Sequence, residues 1–260
     1  MQSRNDEQGM LYIIGAGPGD IAHMTAHARE ALLRSEYVVG NETYLTPLAD
    51  LLIGKQVIRS RMGDEVGRAE KSVALAEHAV VAIVSGGDPG VYGMASLVIE
   101  VLERSGLDLL VEVIPGVTAA NAASARLGAP LSGDFAVVSL SDLLTPWDVI
   151  THRLCAVFSA GIPVVIYNPR SRGRPYHFME AIKIAREHLD EATPVAVVKN
   201  AFREHEEVLM TTLGELEALV DEIDMHSTVI IGGEETRYWR IGGHVRGIVT
   251  PRGYHRKYAY

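Results

Sequence analysis

Leu11-Tyr12-Ile13-Ile14-Gly15-Ala16-Gly17-Pro18-Gly19-Asp20 sets an apolar run of strand length directly against a glycine loop. A run apolar at every position is what a strand covered on both faces requires. The same pairing recurs where Val81-Ala82-Ile83-Val84 leads into Ser85-Gly86-Gly87-Asp88-Pro89-Gly90. It recurs again where residues 111–114 lead into Pro115-Gly116-Val117-Thr118-Ala119-Ala120. Further short runs lie at 37–39, 135–140, 163–167, 195–198 and 228–231. Between them are helical patterns: Ala95, Val98, Ile99 and Leu102 share one helix face, and 65–79 and 175–189 behave alike. Short strands alternating with helices predict an α/β fold, with two α/β domains built on mostly parallel sheets. Gly128, Pro130 and Gly133 mark the expected hinge, giving domains 1–130 and 131–260.

The composition narrows the function classes. Apolar residues make up 47% of 260 residues, enough for buried cores, yet none of the runs reaches the roughly 18 residues of a membrane span. Met1 to Gly9 is polar and lacks the apolar centre of a secretory signal. The single cysteine, Cys155, excludes an internal disulfide, a thiolate-pair zinc site and an iron–sulfur cluster. A cytoplasmic enzyme is the expectation. A net charge of −9 disfavours general nucleic-acid binding, and an anionic substrate must be met by local arginines. His23 and His27 have the i, i+4 spacing of a helical metal pair, but no third ligand accompanies them; no metal is expected. The tail, residues 250–260, is basic and aromatic, and suits a frayed end as well as an ordered one.

In open α/β sheets ligands bind outside the carboxyl ends of the strands, which is where the three glycine loops fall. Tyr167-Asn168-Pro169-Arg170 follows a strand of the second half in the same way. A dinucleotide reading of the first loop fails, because Asp20 stands where the fingerprint needs a third glycine. A carboxylate there repels a diphosphate, and Pro18 removes an amide donor.

Taken together, Ile14-Gly15-Ala16-Gly17-Pro18-Gly19-Asp20 with Thr25, Ser85-Gly86-Gly87-Asp88-Pro89 and Ile114-Pro115-Gly116-Val117-Thr118-Ala119 resemble the successive motifs of the tetrapyrrole (class III) methylases. Met62-Gly63-Asp64-Glu65, Val91-Tyr92-Gly93-Met94, residues 139–147, Tyr167-Asn168-Pro169-Arg170-Ser171 and Thr250-Pro251-Arg252-Gly253-Tyr254 are similar to the branch that methylates C17 of precorrin-3B or of cobalt-factor III in cobalamin biosynthesis. The resemblance implies the tetrapyrrole methylase fold and a homodimer. It also implies S-adenosyl-L-methionine as cofactor, leaving as S-adenosyl-L-homocysteine, in a trough between the domains. The implied cofactor contacts are Pro18, Gly86, Gly87, Asp88, Val91, Thr118 and Ala119, then Asn168, Ala201, Ser227 and Thr228. Asp88 equally suits capping the turn before Pro89.

The implied substrate is a macrocycle fringed with carboxylates, for which the arginine fork is the best partner. Arg59 and Arg61 after one expected strand, and Arg170, Arg172 and Arg174 after another, are read as clamps; each also suits a solvated loop. The implied ring contraction moves protons, and Asp64, Glu42, Tyr44 and Asp142 are the acid/base candidates, with helix caps as their plainer role. A single cysteine, with no cluster possible, leans toward the metal-free substrate, precorrin-3B. Methylation at another ring position, or a tetrapyrrole-binding protein without turnover, are the alternatives.

Overall fold

The computed structural model describes residues 9–259. Residues 1–8, most of the polar segment read above, and Tyr260 lie outside the described range. The chain divides into two compact units, Met1–Ala119 and Ala120–Tyr260.

The first unit holds strands β1 (Met10–Gly15), β2 (Tyr37–Asn41), β3 (Gln56–Ser60), β4 (Val80–Ser85) and β5 (Leu110–Ile114). Its helices are α1 (Ala26–Arg34), α2 (Glu42–Leu45), α3 (Glu65–Ala76) and α4 (Ala95–Ser105). The sheet runs in the order β3-β2-β4-β1-β5, and every pairing is parallel. Side chains alternate between two cores. Leu11, Ile13, Val81 and Ile83 enter the one packed by Val73 and Val98 from α3 and α4. Ile14, Ala82 and Val84 enter the other, with Ala28, Leu32, Leu45 and Leu48. Two covered faces explain why these strands are apolar throughout. Truncating fully buried Ile13 to alanine should cost about 2–5 kcal/mol. Because β1 lies between β4 and β5, the loops leaving those three strands are neighbours.

The second unit begins within α5 (Ala119–Leu127) and continues through β6 (Gly128–Ala129), β7 (Ala136–Ser139), α6 (Trp147–Ser159), β8 (Val164–Tyr167), α7 (His177–Arg186), β9 (Pro194–Lys199), β10 (Glu207–Thr212), β11 (Ser227–Ile231), β12 (Arg237–Ile241) and β13 (His244–Val249). Its main sheet has the order β10-β9-β11-β8-β7 around a core that includes Phe158, Phe178, Ile166 and Val229.

This sheet departs from the mostly parallel expectation: only β7 and β8 pair in parallel, and the other three pairings are antiparallel. The cause is loop length. Residues 200–206 join β9 to β10, and a parallel crossover needs a dozen residues or more. The expected hinge at 128–133 also differs. Gly128 and Ala129 are a strand, paired with β13, and the division of the chain falls after Ala119. Part of the tail is ordered: the Thr250 amide donates to the Ala129 carbonyl, and Tyr254–Arg256 forms a 3-10 turn. Among the described residues no helix is long and apolar enough to cross a membrane.

Candidate functional site

Three loops of the first unit are tied together by their backbones. Gly17 and Gly87 exchange amide-to-carbonyl hydrogen bonds of 3.0 and 2.9 Å. A Cβ on Gly15 would sit 2.6 Å from the Gly116 nitrogen and 2.7 Å from the Gly87 oxygen. One on Gly116 would sit 2.2 Å from the Gly87 oxygen. These glycines therefore serve loop against loop, where the sequence suggests approach to a ligand. Gly87 is different: φ is +65°, and the nearest atoms to an added Cβ are 3.6 Å away. Asp88 fastens the group. One carboxylate oxygen accepts from the Gly90 amide at 2.8 Å, the other from the Gly116 amide at 3.1 Å. The turn-capping role holds, and a second loop is held as well. The Thr25 hydroxyl caps α1 through the Ala28 amide and donates to the Pro115 carbonyl.

Around this knot Pro18 is buried, while Gly86, Val91, Thr118 and Ala119 are half-buried. The Tyr44 ring covers Gly86: an added Cβ there would lie 2.4 Å from Cε1. Of the four acid/base candidates, Tyr44 is thus the one placed on a glycine loop. Glu42 is engaged by Arg59 at 3.0 Å and by the Thr46 hydroxyl. Asp64 is exposed at the start of α3, where its side chain caps nothing. Asp142 lies 3.9 Å from Arg174 Nε and 3.5 Å from His177 Nε2.

In the second unit the expected cofactor residues gather at one end of the interior strands of the sheet. Asn168 follows β8 with φ +50° and donates its side-chain amide to the Ser139 hydroxyl at 2.9 Å. Ser227, buried at the start of β11, pairs with Lys199 at the end of β9, and Thr228 is its neighbour. The Ser227 hydroxyl is already used by Asp224. The Lys199 ammonium, hydrogen-bonded to Asp224 at 2.7 Å, is held above its ordinary pKa by that bond. Burial pushes the Asp224 carboxyl up, but the bonds from Lys199 and the His226 amide outweigh it and the carboxyl sits low. Ala201 lies in the 200–206 loop, half-buried.

The arginines divide by partner. Arg59, on β3 instead of after it, pairs with Glu42; Arg61 is exposed with no ion pair among the described residues. Arg170 donates to the Val220 carbonyl and pairs with Asp221. Arg174 is largely buried and donates to Met225 Sδ, and Arg172 is exposed. Arg68, absent from the sequence reading, is only 4% exposed. Its guanidinium bonds Ser60 Oγ, the Arg61 carbonyl, Glu65 and Met94 Sδ, bracing the end of β3. Burial raises the Glu65 carboxyl, but bonds from the Gly63 amide, its own amide and Arg68 outweigh this and hold it low. His23 and His27 do not share a helix: Thr25 caps α1, so His23 ends a separate 3-10 turn, and His27 reaches Glu112 at 3.3 Å.

A model of the family described as Tetrapyrrole (Corrin/Porphyrin) Methylases matches residues 10–217. The "Probable cobalt-factor III C(17)-methyltransferase" of Salmonella typhimurium is 46% identical over 247 residues, 94% of this chain and 99% of that one. The "Precorrin-3B C(17)-methyltransferase" of Sinorhizobium sp is 38% identical over 250 residues, 95% of this chain and 97% of that one. Two other relatives, 44% and 42% identical, are longer; the chain spans 54% and 46% of them, about half their length. The solved structure titled "Crystal structure of the methyltransferase CobJ" superposes with a TM-score of 0.86 at 30% identity, covering 94% of this chain and all of that one. The matched span takes in the loop knot and the parallel sheet that presents it, and on this ground the chain belongs to the tetrapyrrole (corrin/porphyrin) methylases.

Proposed function

We propose that this chain is an S-adenosylmethionine-dependent methyltransferase that methylates C17 of a corrin precursor in cobalamin biosynthesis, with contraction of the ring. The observation that carries the reading is the knot of Gly17, Gly87, Gly116 and Asp88 at the carboxyl ends of β1, β4 and β5. Pro18, Gly86, Gly87, Asp88, Val91, Thr118 and Ala119 hold the cofactor from the first unit. Asn168, Ala201, Ser227 and Thr228 do so from the second. The fit rests on the looser surroundings of Gly87, where an added Cβ would meet only ordinary contacts at 3.6 Å or more, and on the carboxylate beside it, whose two amide bonds leave acceptor positions for a ribose or amino group. Bound there, S-adenosylmethionine supplies an electrophilic methyl group.

The protein's part is then orientation, holding the ring carbon in line in a dry site. Tyr44, lying against Gly86, is the best placed group for the proton movements of ring contraction. Of the five arginines read as clamps, Arg59, Arg170 and Arg174 share their charge with Glu42, Asp221 and Asp142, and Arg61 and Arg172 supply local positive charge against the net −9. A cobalt-containing substrate has a specific observation in its favour: the relative named for cobalt-factor III is 46% identical and the one named for precorrin-3B 38%. A homodimer in the cytoplasm is the proposed working form. The test is incubation with labelled S-adenosylmethionine and both substrates, reading product by mass and carbon NMR. Label transferred to C17 of either substrate supports the reading; methylation only at another carbon, or none, overturns it.

A further inference from the structure

Backbone strain in this chain is concentrated. Five non-glycine residues among those described have positive φ: Tyr92, Asn168, Asn200, Phe202 and His205. All five lie in loops that follow strands β4, β8 and β9, and three fall within the 200–206 loop. Asparagine and histidine tolerate this region, but for a residue as bulky as Phe202, at φ +59°, it is an outlier. Such a conformation persists only where the surroundings over-determine it.

Here the determinant is Glu206. One carboxylate oxygen accepts from the Phe202 amide at 2.6 Å. The other takes Arg126 of α5, whose Nε and Nη2 both lie 2.7 Å away. The Arg126 guanidinium also covers the Phe202 ring, 5.1 Å from its centroid. The loop closes on itself through the Arg203 amide, which donates to the Asn200 carbonyl, and the Asn200 side chain, which donates to the His205 carbonyl. Ala201 sits between Asn200 and Phe202, both at positive φ, with no side chain beyond Cβ to offer a ligand. What it presents is its backbone.

We propose that Glu206 is a positioning residue for the cofactor: anchored by Arg126, it holds the Phe202 amide and so fixes the left-handed path that aims the Ala201 backbone at S-adenosylmethionine. The inference rests on the proposed cofactor role of Ala201. Glu206 touches no reacting atom and acts through the loop alone. It therefore governs cofactor affinity, and leaves the turnover of saturated enzyme and the KM for the tetrapyrrole nearly unchanged.

The test uses the full chain, with S-adenosylhomocysteine binding by calorimetry, KM and kcat for both substrates, and thermal unfolding. Glu206→Ala should weaken S-adenosylhomocysteine about tenfold or more and raise the KM for S-adenosylmethionine alone. Glu206→Gln keeps a carbonyl oxygen for the Phe202 amide but turns an NH2 group toward Arg126, so its affinity should fall less than that of Glu206→Ala, by about threefold. Equal affinities for wild type and both variants overturn the inference while leaving the cofactor reading intact. So does a loss that tracks the fall in unfolding temperature equally in both variants. If Glu206→Ala does not fold, a Glu206→Gln variant that folds but loses affinity about tenfold counts against it. A wild-type protein that binds no S-adenosylhomocysteine overturns both.

Discussion

The amide of Gly17 donates to the carbonyl of Gly87 at 3.0 Å, and Gly87 returns the bond at 2.9 Å, so two loops 70 residues apart behave as a miniature antiparallel bridge. Gly116 closes on the same carbonyl from a third loop, leaving no room for a Cβ at 2.2 Å from that oxygen. The loops must shift together to admit even one methyl group. Overpacking of this kind costs about 1–3 kcal/mol. Gly116→Ala should lose that much stability in urea melts, and its S-adenosylhomocysteine affinity should fall with it. Gly133→Ala, where nothing lies within 4 Å, is the control and should change neither. Full affinity in Gly116→Ala would show that the knot does not shape the cofactor site.

Asp88 answers to two loops at once. Its carboxylate serves the amides of Gly90 and Gly116, one oxygen each, and an asparagine can offer only one acceptor. Asp88→Asn turns an NH2 group toward one of those amides, an unfavourable donor–donor contact. Expected is a loss of about 1–3 kcal/mol in stability together with weaker cofactor binding. Calorimetry and urea melts on the same variant check it. Weakened binding with unchanged stability would assign Asp88 to the cofactor alone.

The Glu65–Arg68 pair gives stability a sign with pH. Hydrogen bonds hold the folded Glu65 carboxyl below its ordinary value of 4.5. Its contribution is therefore complete above the unfolded value and is lost as pH falls through the folded one. Glu65→Gln should be less stable than wild type near neutrality, and the difference should shrink in acid. Urea midpoints at about pH 7 and about pH 3.5 measure it. A gap that stays constant or widens in acid excludes this linkage. Arg68→Ala should cost more, about 3 kcal/mol, because Ser60, Arg61 and Met94 lose the same buried partner.

What the sequence discloses follows from burial. Residues 11–14 and 81–84 read as strands because both faces are covered, and a continuous apolar run is left in the chain. Gln56–Ser60 is an edge strand, half exposed, and its polar residues Gln56, Arg59 and Ser60 leave only Val57 and Ile58 as an apolar pair, too short a run to set the bounds of the strand. The same holds for Arg237–Ile241, whose apolar side chains are themselves partly exposed. At the site, glycine loops after strands announce themselves, yet their purpose does not. Gly15 and Gly116 are small for each other's sake, a contact between residues far apart in sequence. Arg68 reads as an ordinary surface arginine of a helix, since nothing local reveals Ser60 behind it or Met94, 26 residues away, beside it.

The arginines can now be told apart, and the last prediction rests on that. Arg170 and Arg174 are committed within the second unit, to Val220 and Asp221 in one case, to Asp142 and Met225 in the other. Arg59 is shared with Glu42. Arg61 and Arg172 are exposed and make no ion pair among the described residues, so their charge is available to a carboxylate of the substrate. Arg61→Ala and Arg172→Ala should each weaken tetrapyrrole binding about tenfold, about 1.4 kcal/mol. Stability should change by less than about 0.5 kcal/mol, as for surface positions generally. Arg170→Ala and Arg174→Ala should instead lower stability first, since Val220, Asp221 and Asp142 lose partners. Absorbance titration with the tetrapyrrole at two salt concentrations separates these cases. A rim contact loses its effect as salt rises, whereas a desolvated pair keeps most of it. S-adenosylhomocysteine affinity should hold in all four variants, because none of these side chains is among the proposed cofactor contacts. If Arg61 and Arg172 can both be removed with tetrapyrrole affinity intact at low salt, they are solvated surface residues. The carboxylates of the substrate must then be met elsewhere.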